Sequence, residues 1–111
     1  MNSRLALMPA ALAGLACLTL MQVMQTSNAD SNKAFMDANQ KMMQHMQITP
    51  MGDADKDFVS MMIPHHEGAI EMATIELQFG KDPELRALAQ DIIEAQKKEV
   101  AFMKKWAASN Q

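Results

Sequence analysis

The sequence predicts an all-α protein whose main part is an antiparallel bundle of three helices. Apolar residues recur with the helical period over residues 31–108, and no stretch alternates in polarity as a strand would. The β-branched residues that favour strands are few. The connections between the predicted helices are short, which makes neighbouring helices antiparallel. A length of 111 residues allows one small domain, which we expect to gain stability from a bound metal or from oligomerisation.

The N-terminal segment has the pattern of a secretory signal peptide. After Arg4 no charged residue follows until Asp30, and the apolar run of residues 5–23 is marginal for a membrane span of about 20 residues. Ser-Asn-Ala at residues 27–29 places small side chains at positions −3 and −1 of a cleavage site. We predict that the leader is removed after residue 29, and that residues 30–111 form a periplasmic or secreted domain without a membrane span.

Two alternatives stay open for this segment. One is a transmembrane anchor, and the other is a lipoprotein attached through Cys17. The lipoprotein alternative is the weaker signal, because Gly14 stands where a lipobox usually has leucine. Since Cys17 is the one cysteine of the chain, an intramolecular disulfide and a cysteine zinc cluster are both excluded.

The first helix of the domain is predicted over residues 31–48. Ser31 is its expected N-cap, and Thr49-Pro50 followed by Gly52 ends it. One face of this helix combines apolar residues with a histidine: Phe35, Ala38, Met42, His45 and Met46.

The second helix is predicted over residues 54–79. Asp53 is its expected N-cap, and two further aspartates suit the positive end of the helix dipole. Gly80 is a natural residue to end it. Because Pro64 removes one backbone hydrogen bond, we expect a kink or a split into two segments at that point.

The third helix is predicted over residues 83–108. Asp82-Pro83-Glu84 supplies an N-cap, a proline at the first helical position and an acid in the first turn. Its expected inner face consists of Leu85, Leu88, Ala89, Ile92, Gln96, Val100, Met103 and Trp106.

Methionine and histidine are concentrated in two clusters, in a chain with 13 methionines. The cluster on the first helix consists of Met42, Met43, His45 and Met46. The cluster on the second helix consists of Met61, Met62, His65, His66 and Met72. Soft thioether sulfur combined with imidazole suits Cu(I), and by the same softness Ag(I), whereas histidine with nearby carboxylates also suits Cu(II). We therefore predict a copper site. A site for Mg or Ca is not indicated, because those ions prefer oxygen ligands.

The helical period places His65 near the centre of a face that also carries Met61, Met62 and Met72. His66 is rotated toward Ile70 and Leu77, where it also fits a buried histidine with a hydrogen-bond partner. We expect packing of the first two helices to bring the two clusters together, with Met42, His45 and Met46 near Met61, His65 and Met72.

A different class of function also fits the methionines. Methionine fills cores and adaptable surfaces because it is flexible, so the alternative is a non-metal interaction or dimerisation module of the cell envelope. An enzyme is not expected, since Glu-x-x-His, a serine elbow and a P-loop are all absent. A net charge of −3 argues against nucleic-acid binding.

The run M-M-I-P-H-H-x-x-A-I-x-M-A at residues 61–73, preceded by Asp57-Phe58, resembles the signature of a family of secreted bacterial proteins long filed as a domain of unknown function. Some members, the CopM-type proteins, are periplasmic copper-binding proteins linked to copper tolerance. The resemblance covers roughly residues 53–106. It implies a ferritin-like helical bundle without the di-iron centre.

The resemblance also implies a set of functional residues and a role. Its motif positions here are Met61, Met62, His65, His66 and Met72, whereas the first-helix cluster matches only in kind. We expect copper sequestration or handover to an envelope partner, which would contribute to copper tolerance. The bundle is either complete in one chain or completed by a homodimer.

Mass spectrometry of the protein purified from its host tests the predicted leader. Cleavage after Ala29 leaves Asp30 as the N-terminus, because signal peptidase cuts after a small residue. An intact N-terminus would contradict the prediction, and a lipid mass on Cys17 would establish the lipoprotein alternative.

Overall fold

A computed structural model describes the backbone of residues 11–111 and the side chains of residues 27–111. Over this range the chain forms three helices and no strand: α1 (Ala11–His45), α2 (Ala54–Phe79) and α3 (Pro83–Ser109). The predicted all-α class is therefore confirmed. The chain divides into two compact units, Met1–Asp30 and Ser31–Gln111. None of the described helices is long and apolar enough to cross a membrane.

Helix α1 differs from its predicted bounds at both ends. The predicted start at Ser31 is wrong, because helix-favouring residues continue upstream and the helix already begins at Ala11. The helix ends at His45, three residues before the predicted end, where the backbone N–H of Gln47 donates to the carbonyl of Gln44 (3.3 Å) in a tighter turn. Arg4 and the side chain of Cys17, on which the leader predictions depend, lie outside the described residues.

Helix α2 has its predicted bounds and remains one helix through Pro64. A split into two segments is therefore wrong. The side chain of Asp53 caps the helix by accepting from the backbone N–H groups of Asp55 and Lys56, both at 3.1 Å. Residues on both sides of the proline are buried, so tertiary packing holds the two halves in one helix despite the missing hydrogen bond.

The loop before α2 is fixed by a single carboxylate. Asp57 accepts hydrogen bonds from the backbone N–H groups of Met51 (2.7 Å) and Gly52 (3.1 Å). Gly52 has a φ of +85°, which glycine adopts without the penalty other residues meet. Asp57 thus positions the loop in addition to favouring the start of α2.

The turn between α2 and α3 is short, and hydrogen bonds stabilise its backbone. Gly80 ends α2 as predicted, but its backbone is extended (φ −69°) rather than left-handed. The guanidinium of Arg86 donates from Nη1 to the carbonyls of Leu77 (2.7 Å) and Gly80 (3.0 Å). Asp82 caps α3, which ends at Ser109, one residue beyond the prediction.

The core lies between α2 and α3, which run antiparallel. One cluster joins Val59 of α2 to Val100 and Met103 of α3. A second joins Ala73 of α2 to Ala89 and Ile93 of α3. No large side chain of the described residues is fully buried, so this core is thin for an independent domain.

Helix α1 packs against α2 where α2 has no side chain. A Cβ built at Gly68 would lie 2.5 Å from Sδ, 2.6 Å from Cγ and 2.9 Å from Cβ of Met42. Nearby, Lys41 forms an ion pair with Glu71 at 3.0 Å. Gly68 therefore permits the two helices to approach closely.

Gly68→Ala tests this contact. Alanine gains about 1 kcal/mol of helix propensity, but overpacking against Met42 costs about 1–3 kcal/mol, so we expect a net loss in the free energy of unfolding. In the Met42→Ala background the same substitution should cost less, because the contacts with Sδ and Cγ are gone and only the contact with Cβ of residue 42, at 2.9 Å, remains. Urea unfolding of the four proteins measures the coupling. Stabilisation by Gly68→Ala in the presence of Met42 would contradict the close approach.

Candidate functional site

One groove between α2 and α3 gathers sulfur, imidazole and aromatic groups. It has a volume of about 470 Å³. We refer to it as the α2–α3 groove, and it is lined by Phe58, Met62, His66, Lys98, Glu99, Phe102 and Met103. On α2 the lining residues follow one another at four-residue spacing, which places them along one face of the helix.

His66 is the polar centre of this groove. Its side chain is 13% exposed, and its Nε2 lies 2.8 Å from Oε2 of Glu99. In neutral His66 this contact requires Nε2–H to donate to the carboxylate, which leaves Nδ1 as an unprotonated lone pair. Nδ1 is buried and has no hydrogen-bond partner among the described residues. In its neutral form His66 is therefore an oriented imidazole whose Nδ1 lone pair has no partner among the described residues.

Two thioethers accompany this imidazole. Met103 is buried, with 5% exposure, within the cluster formed by Val59 and Val100. Met62 is partly buried and packs against the same cluster. Thioether sulfur and imidazole nitrogen, which line this groove together, are the kinds of donor that a soft monovalent cation prefers. A carboxylate hydrogen-bonded to the other nitrogen of a ligand histidine is the usual supporting contact at metal sites.

The neighbouring histidine has a different environment. His65 is exposed and does not line the α2–α3 groove. Its ring makes an edge contact with the ring of His66, with centroids 6.1 Å apart. Met61 is partly buried. The sequence placed His65 at the centre of the methionine face, whereas in the structure it is His66 that shares a groove with Met62.

Met72 lies in another groove. This α1-side groove has a volume of about 360 Å³ and is lined by Phe35, Ala69, Met72, Ala73, Glu76, Leu85, Leu88, Ala89, Ile92 and Gln96. Its lining is apolar apart from Glu76 and Gln96. The Oε1 atom of Gln96 is buried without a hydrogen-bond partner in the described part of the chain.

The first-helix cluster is also placed apart from the α2–α3 groove. Met42 and His45 line a small pocket of about 190 Å³ with Lys41, Pro64, Glu67, Gly68 and Glu71. Met43 is exposed and Met46 is partly buried. The structure therefore brings Met42 and His45 against α2, but beside Gly68 rather than into one groove with Met62 or Met72.

Oxygen and nitrogen ligands alone do not form a metal site in the described part of the chain. No three His, Cys, Asp or Glu side chains of these residues converge as a cation site. The two carboxylates that line a pocket with His45 already have partners, since Glu67 pairs with Lys104 (2.6 Å) and Glu71 with Lys41.

Sequence reasoning missed all four residues that α3 contributes to the α2–α3 groove: Lys98, Glu99, Phe102 and Met103. Met103 was assigned to the inner face of the third helix, and Glu99 was given no role. The signal was present in the short turn at residues 80–82, because an antiparallel hairpin pairs residues at similar distances from its turn. That rule brings Glu99 to His66 and Met103 to Met62.

Comparison with known proteins identifies a family and one distant relative. The sequence model described as "Domain of unknown function (DUF305)" matches residues 7–107. An uncharacterized protein, L153, of Acanthamoeba polyphaga mimivirus is 44% identical over 49 residues. That match covers 44% of this chain and 32% of the viral protein, so the chain spans about a third of the relative's length.

The His66–Glu99 contact predicts a defined tautomer. Long-range ¹H–¹⁵N NMR at a pH where imidazole is neutral should show His66 with its proton on Nε2 and a pyridine-type Nδ1. In the unaltered protein, the hydrogen bond to Glu99 should slow the exchange of this proton with water. Glu99→Leu should make that exchange faster, because the acceptor is lost. Exposed His65 is the internal control. A proton on Nδ1 of His66 in the unaltered protein would contradict the geometry.

Proposed function

The chain belongs to the DUF305 family, and we propose that it is a copper-binding protein of the cell envelope. In this proposal it binds Cu(I), with Ag(I) as a chemical substitute, and sequesters the ion or hands it to a partner. The binding contributes to copper tolerance. The ion is cargo, and no catalytic turnover is required.

The observation that carries the proposal is the environment of His66. A buried nitrogen without a partner costs free energy unless something satisfies it. Glu99 orients the ring through the other nitrogen, at 2.8 Å, and two methionines line the same groove. A soft cation would satisfy Nδ1 with a ligand set drawn from His66, Met62 and Met103.

The copper valence follows from the donors. Thioethers are soft and neutral, so they stabilise Cu(I) over Cu(II), which favours nitrogen and oxygen ligands. Apart from Cys17 in the predicted leader, the chain has no thiol to compete for the ion. Oxidation of the ligand methionines to sulfoxides would remove the soft donors.

The resemblance to CopM-type proteins supports the same conclusion from the sequence. It implies copper ligation by Met61, Met62, His65, His66 and Met72. Of these, Met62 and His66 line the α2–α3 groove, where Met103 joins them from α3. A role for exposed His65 is therefore capture of the ion at the surface, one residue from His66. A role for Met42 and His45 would need a second site at the α1–α2 contact.

Two matched double variants test the proposed ligands. Cu(I) affinity is measured by anaerobic competition against a chromophoric chelator. Met62→Leu with Met103→Leu should weaken binding by at least the roughly 10–100-fold that loss of a supporting contact costs. Met61→Leu with Met72→Leu should weaken it much less, and Met-to-Leu changes conserve volume, so both proteins should stay folded.

The outcomes separate the two ligand sets. If only the Met61 and Met72 variant loses affinity, the ligands are those of the sequence motif and the groove is not the site. If the unaltered chain does not compete for Cu(I) at any chelator strength, copper binding is refuted.

A further inference from the structure

We infer that the α2–α3 groove is the contact surface of a homodimer, in which a second copy of the chain covers the groove about a two-fold axis. The inference does not require copper. It rests on the exposed apolar residues around the groove, on the arrangement of its charges and on the thin core of one copy.

Two aromatic rings at the groove are exposed to an unusual degree. Phe58 is 59% exposed on α2, and Phe102 is 70% exposed on α3. Both line the same groove, and no described residue of α1 lines it. Large apolar side chains grouped at a concave surface mark an interaction site, whereas single exposed ones are ordinary.

The core of one copy leaves apolar burial incomplete. Its buried hydrophobic side chains are eight in the described range: Ala38, Val59, Ala73, Ile75, Ala89, Ile93, Val100 and Met103. None of the large side chains among the described residues is fully buried. A domain this small depends on additional burial for stability. Docking a second copy on the groove would bury Phe58, Phe102 and the outer surface of Met62 together.

The charges at the groove fit a two-fold axis. A two-fold interface places the same patch on both copies, so a patch must complement itself. Lys98 and Glu99 are adjacent, and no described residue forms an ion pair with Lys98. Lys98 of each copy can therefore face Glu99 of the other. In a chain of net charge −3, such a balanced patch reduces the repulsion between copies.

The charges of the α1-side groove do not complement themselves across a two-fold axis. Its one charged lining residue is Glu76, and its orphan group, Oε1 of Gln96, is an acceptor. A two-fold contact there would bring no positive charge of either copy to face Glu76 of the other. That groove also already contains Phe35 of α1.

The dimer has a consequence for the proposed copper ligands. Met62, His66 and Met103 line the groove that the second copy would cover. The ligands would then lie at the centre of the interface, shielded from water by both copies. Because they share a surface, dimerisation and copper binding would influence each other, although the dimer can be tested without copper.

Sedimentation equilibrium of the full chain, in the form recovered from its host and with copper chelated, tests the inference. We expect a reversible dimer over micromolar to millimolar concentrations. Phe102→Glu should raise the dissociation constant by about thirtyfold or more, as loss of a central aromatic contact does. Lys98→Glu should weaken association more at low salt than at high salt.

Leu88→Glu is the matched control. Leu88 is 53% exposed on α3, but it lines the α1-side groove, so this variant should remain a dimer. Far-ultraviolet circular dichroism verifies that each variant stays helical. A monomer at all concentrations refutes the homodimer and assigns the groove to a different occupant. Loss of the dimer in Leu88→Glu but not in Phe102→Glu also refutes it. Since copper is absent, neither result bears on Cu(I) affinity.

Discussion

The antiparallel pairing of α2 and α3 across the three residues 80–82 is the constraint on which the rest of the structure depends. Arg86 reaches back to the last carbonyls of α2, and Asp82 caps α3, so the turn satisfies the backbone groups of both helix ends. Both core clusters join these two helices. The pairing determines which side chains of α3 stand opposite the motif on α2, and so determines the composition of the α2–α3 groove.

The motif of α2 is distributed around the helix rather than gathered at one point. Met62 and His66 face α3, Met72 lines the α1-side groove, and His65 is exposed. Gly68 faces α1, and because it has no side chain, Met42 can pack closely against it. A compact segment of sequence thus performs three tasks: packing against α3, packing against α1 and presenting polar donors.

The thin core links stability to function. With few buried residues, part of the apolar surface of α2 and α3 stays available for binding. Flexible methionine side chains are suited to such a surface, because they can pack against protein and can also turn a sulfur toward a soft cation. The copper-binding proposal and the interaction-module alternative therefore depend on the same physical feature.

The sequence by itself determined the helical class, the bounds of α2, the start of α3 and its end to within one residue. These follow from local chemistry, since Asp53, Asp82 and Pro83 satisfy or remove backbone donors that only a helix start leaves free. The start of α1 was missed because Ser31 has a favourable cap chemistry but lies within helix-forming sequence on both sides.

Only the tertiary structure decided which histidine of the pair is buried and which residues accompany it. An ideal helical wheel centred the methionine face on His65, but the direction from which α3 packs placed His66 in the groove. Glu99 and Met103 join it from 33 residues or more along the chain, a distance over which side-chain periodicity carries no information. Local residues specify where a helix begins and ends, whereas the choice of neighbours is made by packing between helices.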